Sequence, residues 1–477
     1  MDPFISAVEL ARKLRDREVS AIEIAEFYLD RHDALNPEVN AIVWIDRDDV
    51  LRRAGESDAR LRSGRNVRAF EGVPVPIKDL TAVRGQPCTY SSLSVNETPA
   101  EQNEITVDLF EEAGFVLFGR SNSPEFGPLT VSENPRHGKT RNPWNLDFTS
   151  GGSSGGASSA VAAGLAPVAH ASDGGGSIRV PASATGLVGL KPSRGRVPAD
   201  IRGWEQSTTD GVITRTVADS AALLDVLGVP DPLAWYSAPA PHRPYASEIA
   251  HTGPRLRVGL LLNAPTGVDV DPECAAAANA LATALELAGH SVEPANPFLF
   301  SEEASKGFAD LIISASIWAS PIQDLDRVDP YIRYRYDRAA QVHAGQYVEL
   351  ANRLQWETRQ VVAQWGREFD VLVTPTTACP TPLAGSVYDE ANKAPDGPRL
   401  TELRTISFTS FCNIAGLPAI SLPVHTGANG VPIGAQLVGA PFDEATLLRV
   451  SAEMEQVFRW HDRRAPLAQH TQLFERR

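Results

Sequence analysis

Two short clusters of glycine and serine constrain this chain more than any other feature. The first reads SGGSSGG over residues 150–156, and the second reads SDGGGSIR over residues 172–179. Glycine adopts positive φ angles freely and lets backbone N–H groups approach a ligand closely. Three consecutive glycines of the second cluster come directly before a serine: Gly174, Gly175 and Gly176 before Ser177. Their N–H groups, with that of the serine, are candidate donors for an oxyanion hole at an acyl-transfer site.

Two charged residues flank the second cluster, and a candidate base lies well upstream of both clusters. Asp173 and Arg179 flank the second cluster, and we expect them to pair across the turn and hold it rigid. Alternatively, this cluster is only a tight connection between a strand and a loop. A serine nucleophile needs a base, and the candidate is Lys78, whose pKa would fall if the apolar run before it is a buried strand. Taken alone, however, such a lysine is more often a solvated surface residue.

The first cluster permits two further interpretations. Residues 151–155 match Gly-x-Ser-x-Gly, the nucleophile elbow of α/β hydrolases, which needs a strand directly before it and an acid and a histidine later in the chain. The preceding residues 142–149 are predicted to form a loop, and none of the later histidines has a distinctive setting. A flexible linker is the other interpretation, although residues 157–163 are a good helix start.

The bulk composition is that of an ordinary globular chain and excludes several classes of function. Its 477 residues include 59 acidic and 44 basic side chains, a net charge of -15, and no basic stripe that would bind nucleic acid. The scattered cysteines form no pair at metal-ligand spacing; they are Cys88, Cys274, Cys379 and Cys412. The first residues lack the basic and apolar regions typical of a signal peptide, and no apolar run is long enough to span a bilayer. We expect a cytoplasmic protein that uses no metal or cofactor and binds no membrane.

Short apolar runs alternate with helical segments along most of the chain, which favours an α/β fold around a mixed sheet. Ser20 and Glu23 have the spacing of a capping box at a helix start. The predicted strands cover residues 41–45, 73–77, 115–118, 168–171, 187–190, 257–262, 371–374, 419–423 and 435–438.

We divide the chain into four parts of one large domain. A helical segment (1–65) precedes the catalytic core (66–229), a connector rich in Pro, Ala and Ser follows (230–254), and a second core part with a helical cap ends the chain (255–477). Residues 301–367 of the cap are predicted to be mostly helical and are rich in Trp and Tyr. These aromatic side chains are interpreted either as a packed helical layer or as the lining of a substrate pocket.

Several segments together resemble the amidase signature family of serine hydrolases. They are residues 72–79 (GVPVPIKD), 119–126 (GRSNSPEF), 140–144 (TRNPW), both glycine clusters, 186–193 (GLVGLKPS), 413–419 (NIAGLPA) and 432–437 (PIGAQL). These segments extend over nearly the whole chain. The resemblance implies a single α/β domain with a mixed, mostly parallel, twisted sheet that helices cover on both sides.

The resemblance also implies a catalytic triad made of a serine, a second serine in a cis peptide, and a lysine. The nucleophile falls on Ser177, the cis serine on Ser153, the base on Lys78 and a supporting hydroxyl on Ser154. The implied relay runs from Ser177 through Ser153 to Lys78 and yields an acyl-enzyme that water hydrolyses.

The substrate prediction follows from residues 127–134, the segment that the family places beside the scissile carbonyl. It offers small and apolar groups, with Gly127 and Leu129 as expected substrate contacts. We expect an amidase acting on neutral, moderately hydrophobic aryl or aliphatic amides, with esterase or urethane (carbamate) hydrolase side activity. Ser172 and Gly174 replace the usual Thr and a larger residue of the family motif, which favours the branch of aryl-acylamidases and nylon-oligomer hydrolases.

Two other functions stay open at this point. One is the glutaminase subunit of a tRNA-dependent amidotransferase, which needs a partner chain. Free glutamine is nevertheless expected to be a poor substrate, because no evident Arg or Lys pair awaits its α-carboxylate. The other is a non-catalytic module that holds phosphate, but no Gly-x-x-x-x-Gly-Lys-Ser/Thr motif occurs and the net charge is negative. A homodimer is one assembly that the sequence leaves open.

Overall fold

The structure is a computed structural model that describes residues 1–469. Strands and helices alternate over most of this range. The strands are β1 (Ile42–Trp44), β2 (Pro74–Lys78), β3 (Val116–Ser121), β4 (Glu133–Asn134), β5 (Gly138–Lys139), β6 (Arg141–Asn142), β7 (Asn145–Thr149), β8 (Ala169–Asp173), β9 (Val188–Lys191), β10 (Thr209–Thr214), β11 (Arg257–Leu260), β12 (Ser291–Pro294), β13 (Val371–Pro375), β14 (Ala419–Thr426) and β15 (Pro432–Val438).

The helices lie between and around these strands. They are α1 (Ala7–Arg15), α2 (Ala21–Val39), α3 (Arg47–Ser63), α4 (Ile105–Ala113), α5 (Gly155–Ala162), α6 (Arg179–Thr185), α7 (Gly203–Gln206), α8 (Val217–Leu227), α9 (Tyr245–Glu248), α10 (Pro272–Leu287), α11 (Glu302–Gly307), α12 (Ile313–Trp318), α13 (Pro330–Ala339), α14 (Ala344–Val362), α15 (Ser386–Lys393), α16 (Leu400–Ile406), α17 (Ser410–Ala415) and α18 (Glu444–Phe458). A π-helical turn, Phe308–Ile312, joins α11 to α12. The capping box predicted at the start of α2 is confirmed, since the Ser20 hydroxyl accepts the Glu23 N–H and the Glu23 carboxylate accepts the Ser20 N–H.

Eight strands form one large mixed sheet, in the order β12-β11-β13-β15-β14-β9-β10-β8. Strand β11 is parallel to both of its neighbours, whereas the other five neighbouring pairs are antiparallel. The α/β class with a mixed sheet is therefore confirmed, but the expectation of mostly parallel strands is wrong. Two of the five antiparallel pairs, β9 with β10 and β14 with β15, join strands that follow each other along the chain. The chain reverses between such strands and does not cross back to the other end of the sheet, as a parallel pair requires.

Helices cover both faces of the large sheet, as two successive residues of β10 demonstrate. Val212 packs into a core that includes α8 and α18, whereas Ile213 packs into a separate core with α5 and α6. Neighbouring side chains on a strand point to opposite faces. The two cores therefore lie on the two sides of the sheet.

A second, three-stranded sheet has the order β1-β3-β2. Strand β2 is buried along its whole length, runs parallel to β3, and packs against β8 of the large sheet. Lys78 is the last residue of β2, and Asp173 is the last residue of β8. The packing of the two sheets thus brings the C-terminal ends of β2 and β8 together.

The cap region is helical, as predicted, and its aromatic residues have mixed surroundings. Tyr331 and Trp365 are buried, whereas Trp318 and Trp356 are half exposed or more. No helix within residues 1–469 combines the length and the apolar content needed to cross a membrane. The division of the chain into four parts stays a prediction.

Candidate active site

The end of strand β2 places Lys78 at the centre of the predicted site, where its side chain is fully buried. The Nζ atom lies 2.7 Å from Ser153 Oγ, 2.9 Å from Ser154 Oγ and 3.0 Å from Ser172 Oγ. These three hydroxyls match the three hydrogen-bonding positions of an ammonium group. A solvated surface lysine, the alternative interpretation from the sequence, is therefore excluded.

The surroundings of Lys78 change its basicity. Burial lowers the pKa of Lys78 to about 7, because the charged form loses its contact with water, while the negative charges of Asp210 and Asp173 oppose this effect. Around neutral pH a large share of the Lys78 side chains is therefore uncharged. An uncharged amine has a free lone pair and is able to accept a proton from a neighbouring hydroxyl.

The first glycine cluster forms a buried loop between β7 and α5. Its Gly152–Ser153 peptide bond is cis, which is the geometry that the family resemblance implies for this serine. A Cβ atom on Gly152 would come within 2.5 Å of the Val131 nitrogen, and one on Gly156 within 2.3 Å of the Asn122 nitrogen. The glycines are required here because backbone packs directly against backbone.

These contacts decide between the interpretations of the first cluster. A flexible linker is excluded because residues 150–156 are buried throughout. Strand β7 precedes the cluster and pairs with β6 in a hairpin, which corrects the loop predicted over residues 142–149. Within the described part of the chain, the hydroxyl at the centre of the elbow pattern, that of Ser153, bonds to Lys78 and to no histidine. An elbow of the α/β-hydrolase kind, which works with a histidine, is therefore excluded.

The second glycine cluster is the loop between β8 and α6. Asp173 accepts the Gly176 N–H at 2.7 Å on one carboxylate oxygen and the Ile178 N–H at 3.1 Å on the other. The Arg179 guanidinium donates two hydrogen bonds to the same carboxylate, each 3.0 Å long. The expected pair across the turn therefore forms, and it holds the loop that carries Ser177.

Both members of this pair are fully buried and remain charged. Burial favours the neutral form of Asp173, but the charge and hydrogen bonds of Arg179 outweigh it and hold the pKa of that carboxyl well below its usual range. Burial likewise opposes the charge of Arg179, and Asp173 outweighs it, so the pKa of the guanidinium is raised. Arg179 also donates to the Thr409 backbone oxygen at 3.0 Å and to Gln436 Oε1 at 2.7 Å. These partners satisfy the buried charges.

Ser177 connects the two clusters and borders a cavity. Its backbone oxygen accepts the Ser154 N–H at 3.2 Å, while its side chain forms no hydrogen bond within residues 1–469. The cavity has a volume of about 470 Å³, and Gly175 and Gly176 line it beside Ser177. A Cβ atom built on Gly175 meets no atom within 4 Å, so the loop is open at that point.

The backbone donors of the second cluster differ in their availability. In the described part of the chain, no acceptor binds the N–H groups of Gly174, Gly175 or Ser177. The N–H of Gly176 donates to Asp173. The prediction that Gly176 is a free donor is therefore corrected, because the turn directs this group to the carboxylate that anchors the loop.

The residues expected to bind substrate, Gly127 and Leu129, line the same cavity as Ser177. Most of the other lining side chains are apolar, among them Trp204, Phe308, Ile313, Leu403, Ile406 and Ile414. Tyr331 and the Phe308 ring come from the cap region, whereas Trp318 and Trp356 lie at the surface. Some aromatic residues of the cap region thus line the cavity, and others do not.

Two side chains outside the predicted set hold the second cluster in place. Asn413 Nδ2 donates to the backbone oxygen of Asp173 at 2.9 Å, and Thr409 Oγ1 donates to that of Gly175 at 2.6 Å. Asn413 is the first residue of the family-like segment 413–419, so the sequence contained a pattern that points to it. Thr409 lies in a stretch without a distinctive pattern, and only the tertiary structure reveals its contact.

Comparisons with known proteins agree with this geometry. The amidase family model matches residues 23–448. A 6-aminohexanoate-cyclic-dimer hydrolase from Pseudomonas sp. (strain NK87) is 36% identical over 98% of this chain and 97% of its own length. An acylamidase from Rhodococcus erythropolis is 35% identical over 97% of this chain and 97% of its own. A solved structure of 6-aminohexanoate cyclic dimer hydrolase complexed with substrate superposes with a TM-score of 0.90 at 34% identity, covering 98% of this chain and 100% of that one.

The fold and these similarities place the chain in one class of enzymes, the amide hydrolases. It belongs to the amidase signature family, as its motifs predicted.

Proposed function

We propose that this enzyme hydrolyses neutral, moderately hydrophobic amides through an acyl-enzyme on Ser177. One observation carries the proposal: the fully buried Lys78, with its pKa lowered to about 7, is hydrogen-bonded to Ser153 beside the loop of Ser177. A lysine of this kind acts as a general base near neutral pH. A serine nucleophile needs such a base, because its hydroxyl is otherwise weakly reactive.

The hydrogen bonds support Ser153 as the proton relay. The Ser154 hydroxyl donates to the backbone oxygen of Ser172 at 3.2 Å, so its proton is already engaged. In its neutral form Lys78 has two N–H donors, which suit the hydroxyls of Ser154 and Ser172, and one lone pair. Ser153 is the nearest hydroxyl to Nζ, at 2.7 Å. Its proton therefore faces the lone pair.

The proposed reaction has two halves. Ser177 Oγ attacks the carbonyl carbon of the amide while its proton passes through Ser153 to Lys78 Nζ. The N–H groups of Gly174, Gly175 and Ser177 stabilise the negative charge that forms on the carbonyl oxygen. The proton then returns to the leaving nitrogen, the C–N bond breaks, and the amine departs. Water attacks the acyl-enzyme with Lys78 as the base again, and the acid and free Ser177 are released.

The cavity walls support a neutral substrate. Arg399 pairs with Glu402, and Lys306 pairs with Glu302, so these charges of the wall compensate each other. The remaining lining is mostly apolar, which favours flat or apolar acyl and amine groups. The two relatives named above, a 6-aminohexanoate-cyclic-dimer hydrolase and an acylamidase, support the same substrate class. Esters and carbamates are expected side substrates, because the same acyl-enzyme mechanism serves them.

The test compares wild type with Ser177→Ala on anilides, aliphatic amides, short nylon oligomers, carbamates, esters and glutamine. The expected result is loss of turnover and of fluorophosphonate labelling in the variant. Ser158→Ala is the matched control, because the hydroxyl of this buried serine bonds only to the backbone oxygens of Ser150 and Gly155 within the described residues and lies outside the proposed relay. The control is expected to keep both activities.

Two outcomes would change the proposal. Labelling that persists on another serine in Ser177→Ala would remove Ser177 from the role of nucleophile. A higher kcat/KM for glutamine than for an acyl anilide would favour the alternative function, a glutaminase subunit of a tRNA-dependent amidotransferase.

A further inference from the structure

A second set of contacts reaches Lys78 through its backbone. The Lys78 N–H donates to His170 Nδ1 at 3.3 Å. His170 lies on β8 of the large sheet and Lys78 on β2 of the three-stranded sheet, so this bond joins the two sheets at the site. Because Nδ1 accepts a hydrogen bond, the proton of the ring is on Nε2.

The protonated ring nitrogen of His170 faces the carboxylate of Asp210. Nε2 lies 3.5 Å from Asp210 Oδ1, which is an ionic contact and not a hydrogen bond, and it forms no hydrogen bond to any other atom within residues 1–469. Asp210 lies on β10, directly opposite Ser172 of β8. Its other carboxylate oxygen accepts the Thr106 hydroxyl at 2.9 Å. Asp210 is thus placed one strand away from a hydroxyl that Lys78 contacts.

Two acidic residues act on the charge of Lys78, and they differ in how they are compensated. Asp173 receives two hydrogen bonds from the Arg179 guanidinium. Asp210 forms no salt bridge with a lysine or arginine in the described part of the chain, and its ionic contact is the ring of His170. After burial, the charge of Asp210 is the strongest influence on the pKa of Lys78, and it raises that pKa.

Other titratable groups surround this cluster. Burial together with the Asp210 charge raises the pKa of Glu104 to about 7. Arg120 donates to the Lys78 backbone oxygen at 3.0 Å. Other charged or titratable groups on the neighbouring elements include Asp79, His137, Asp200, Lys191 and Arg179, together with Asp108, Glu111 and Glu112 of α4. Glu104 titrates in the same range as Lys78, so it needs its own control.

We propose that Asp210, coupled to strand β2 through His170, is a positioning residue that sets the pH range in which Lys78 works as a base. The carboxylate favours the ammonium form of Lys78, and the chain of contacts through the imidazole fixes the end of β2 against β8. This inference rests on the proposed function of Lys78.

Asp210→Asn, made in the full chain, tests the role by removing the charge while keeping the shape. The measurements are kcat/KM for an acyl anilide and the rate at which a fluorophosphonate labels Ser177, both as functions of pH. The rising limb of each profile is expected to move to lower pH by roughly half to one unit, because loss of a nearby negative charge favours neutral Lys78. Asp210→Ser, a second neutral replacement, is expected to give the same shift, and Asp210→Glu is expected to give none.

Variants of the neighbours separate position from charge. His170→Gln keeps an acceptor for the Lys78 N–H and a donor toward Asp210, so both profiles are expected to stay in place. His170→Leu loses both groups and is expected to slow labelling by about tenfold at every pH. Glu104→Gln and Asp200→Asn remove other acidic charges of the cluster, whereas the acidic charges that raise the pKa of Lys78 are those of Asp210 and Asp173. Both variants are expected to leave the limb unmoved.

Each outcome decides the proposal. If the neutral variants of Asp210 lower the rate equally at every pH without moving the limb, Asp210 is only structural and the proposal is overturned. If Glu104→Gln shifted the rising limb as much as the Asp210 variants do, the proposal would also be overturned. The effect would then come from the total charge of the cluster and not from the position of Asp210. If Ser177 of the wild type takes no label at any pH, the proposed function itself fails, which is a different result.

Discussion

Two lysines in this fold are buried alike and differ in the atoms around their amino groups. Lys78 is the last residue of β2 and Lys191 is the last residue of β9, and neither side chain reaches solvent. Burial is the main reason why the pKa of each is lowered to about 7. Yet the Nζ atom of Lys78 contacts three serine hydroxyls, whereas that of Lys191 donates to the backbone oxygen of Pro192 at 2.7 Å.

This comparison separates the basicity of a buried lysine from its ability to take part in a proton transfer. A neutral Lys191 would be able to accept a proton, but the carbonyl beside it has none to give. The positive charge of Arg179 adds to the lowering of the Lys191 pKa, so even a strong shift arises here without a catalytic arrangement. A lowered lysine pKa therefore indicates burial, and the three serine hydroxyls are what distinguish Lys78 as the candidate base.

The largest effect is expected from replacing each lysine by a side chain of similar length. Lys78→Met removes the proposed base and is expected to lower kcat/KM for an acyl anilide by about a thousandfold or more. Lys191→Met leaves the serine hydroxyls untouched and is expected to stay within about tenfold of wild type. Circular dichroism checks that both variants fold. If kcat/KM fell equally in the two variants, the serine hydroxyls around Lys78 would not explain a catalytic difference between the two lysines.

The positions of the strands were easier to predict from the sequence than their pairing. Every predicted strand overlaps an observed one, because an apolar run is a local pattern. Strand β10, with the sequence TDGVIT, was missed because it mixes polar with apolar residues. The directions of the strands depend on which ones meet, and β9 pairs with β14 from a distant part of the chain. No local pattern encodes such a neighbour.

The residues of the candidate site also differ in whether a local sequence pattern or only a tertiary contact reveals them. Lys78 and Ser153 were identified through the family resemblance, and the structure brings them into contact. From its own residues, Lys78 stayed ambiguous, because burial at the end of β2 depends on the packing of two sheets. His170 and Asp210 were not predicted at all, since their contact arises from the register of β8 against β10. Gly176 was misassigned as a free donor because only the turn geometry directs its N–H to the carboxylate.

A second difference between the lysines is expected in the pH dependence of activity. The proposed function makes the neutral form of Lys78 the active one, so protonation below its pKa of about 7 is expected to remove activity. We expect kcat/KM to rise about tenfold per pH unit below neutrality and to level off above it. Lys191 titrates in the same range but contacts no reacting group, so Lys191→Met is expected to keep the same limb. If the rising limb of the kcat/KM profile moved or disappeared in this variant, the titration of Lys191 would contribute to the pH dependence of activity.

The smallest effect concerns stability, where the two lysines are expected to behave alike. The pKa of each is about 7 in the folded chain and about 10.4 in the unfolded chain. Between these values the unfolded state binds more protons, so the free energy of unfolding rises with pH by up to about 1.4 kcal/mol per unit for each lysine. Below the folded pKa both states are protonated, and this contribution to the slope disappears.

Urea unfolding at several pH values, starting from neutrality and extending about one and a half units above it, measures this slope. Lys78→Met and Lys191→Met each remove one titrating group, and both are expected to reduce the slope by the same amount, although only Lys78→Met loses activity. Lys393→Met is the control, because this lysine is exposed and pairs with Asp389 at the surface. If Lys191→Met kept the slope of wild type, the pKa of Lys191 would not be lowered in the folded chain. The two lysines would then differ in their pKa values as well as in the atoms around their amino groups.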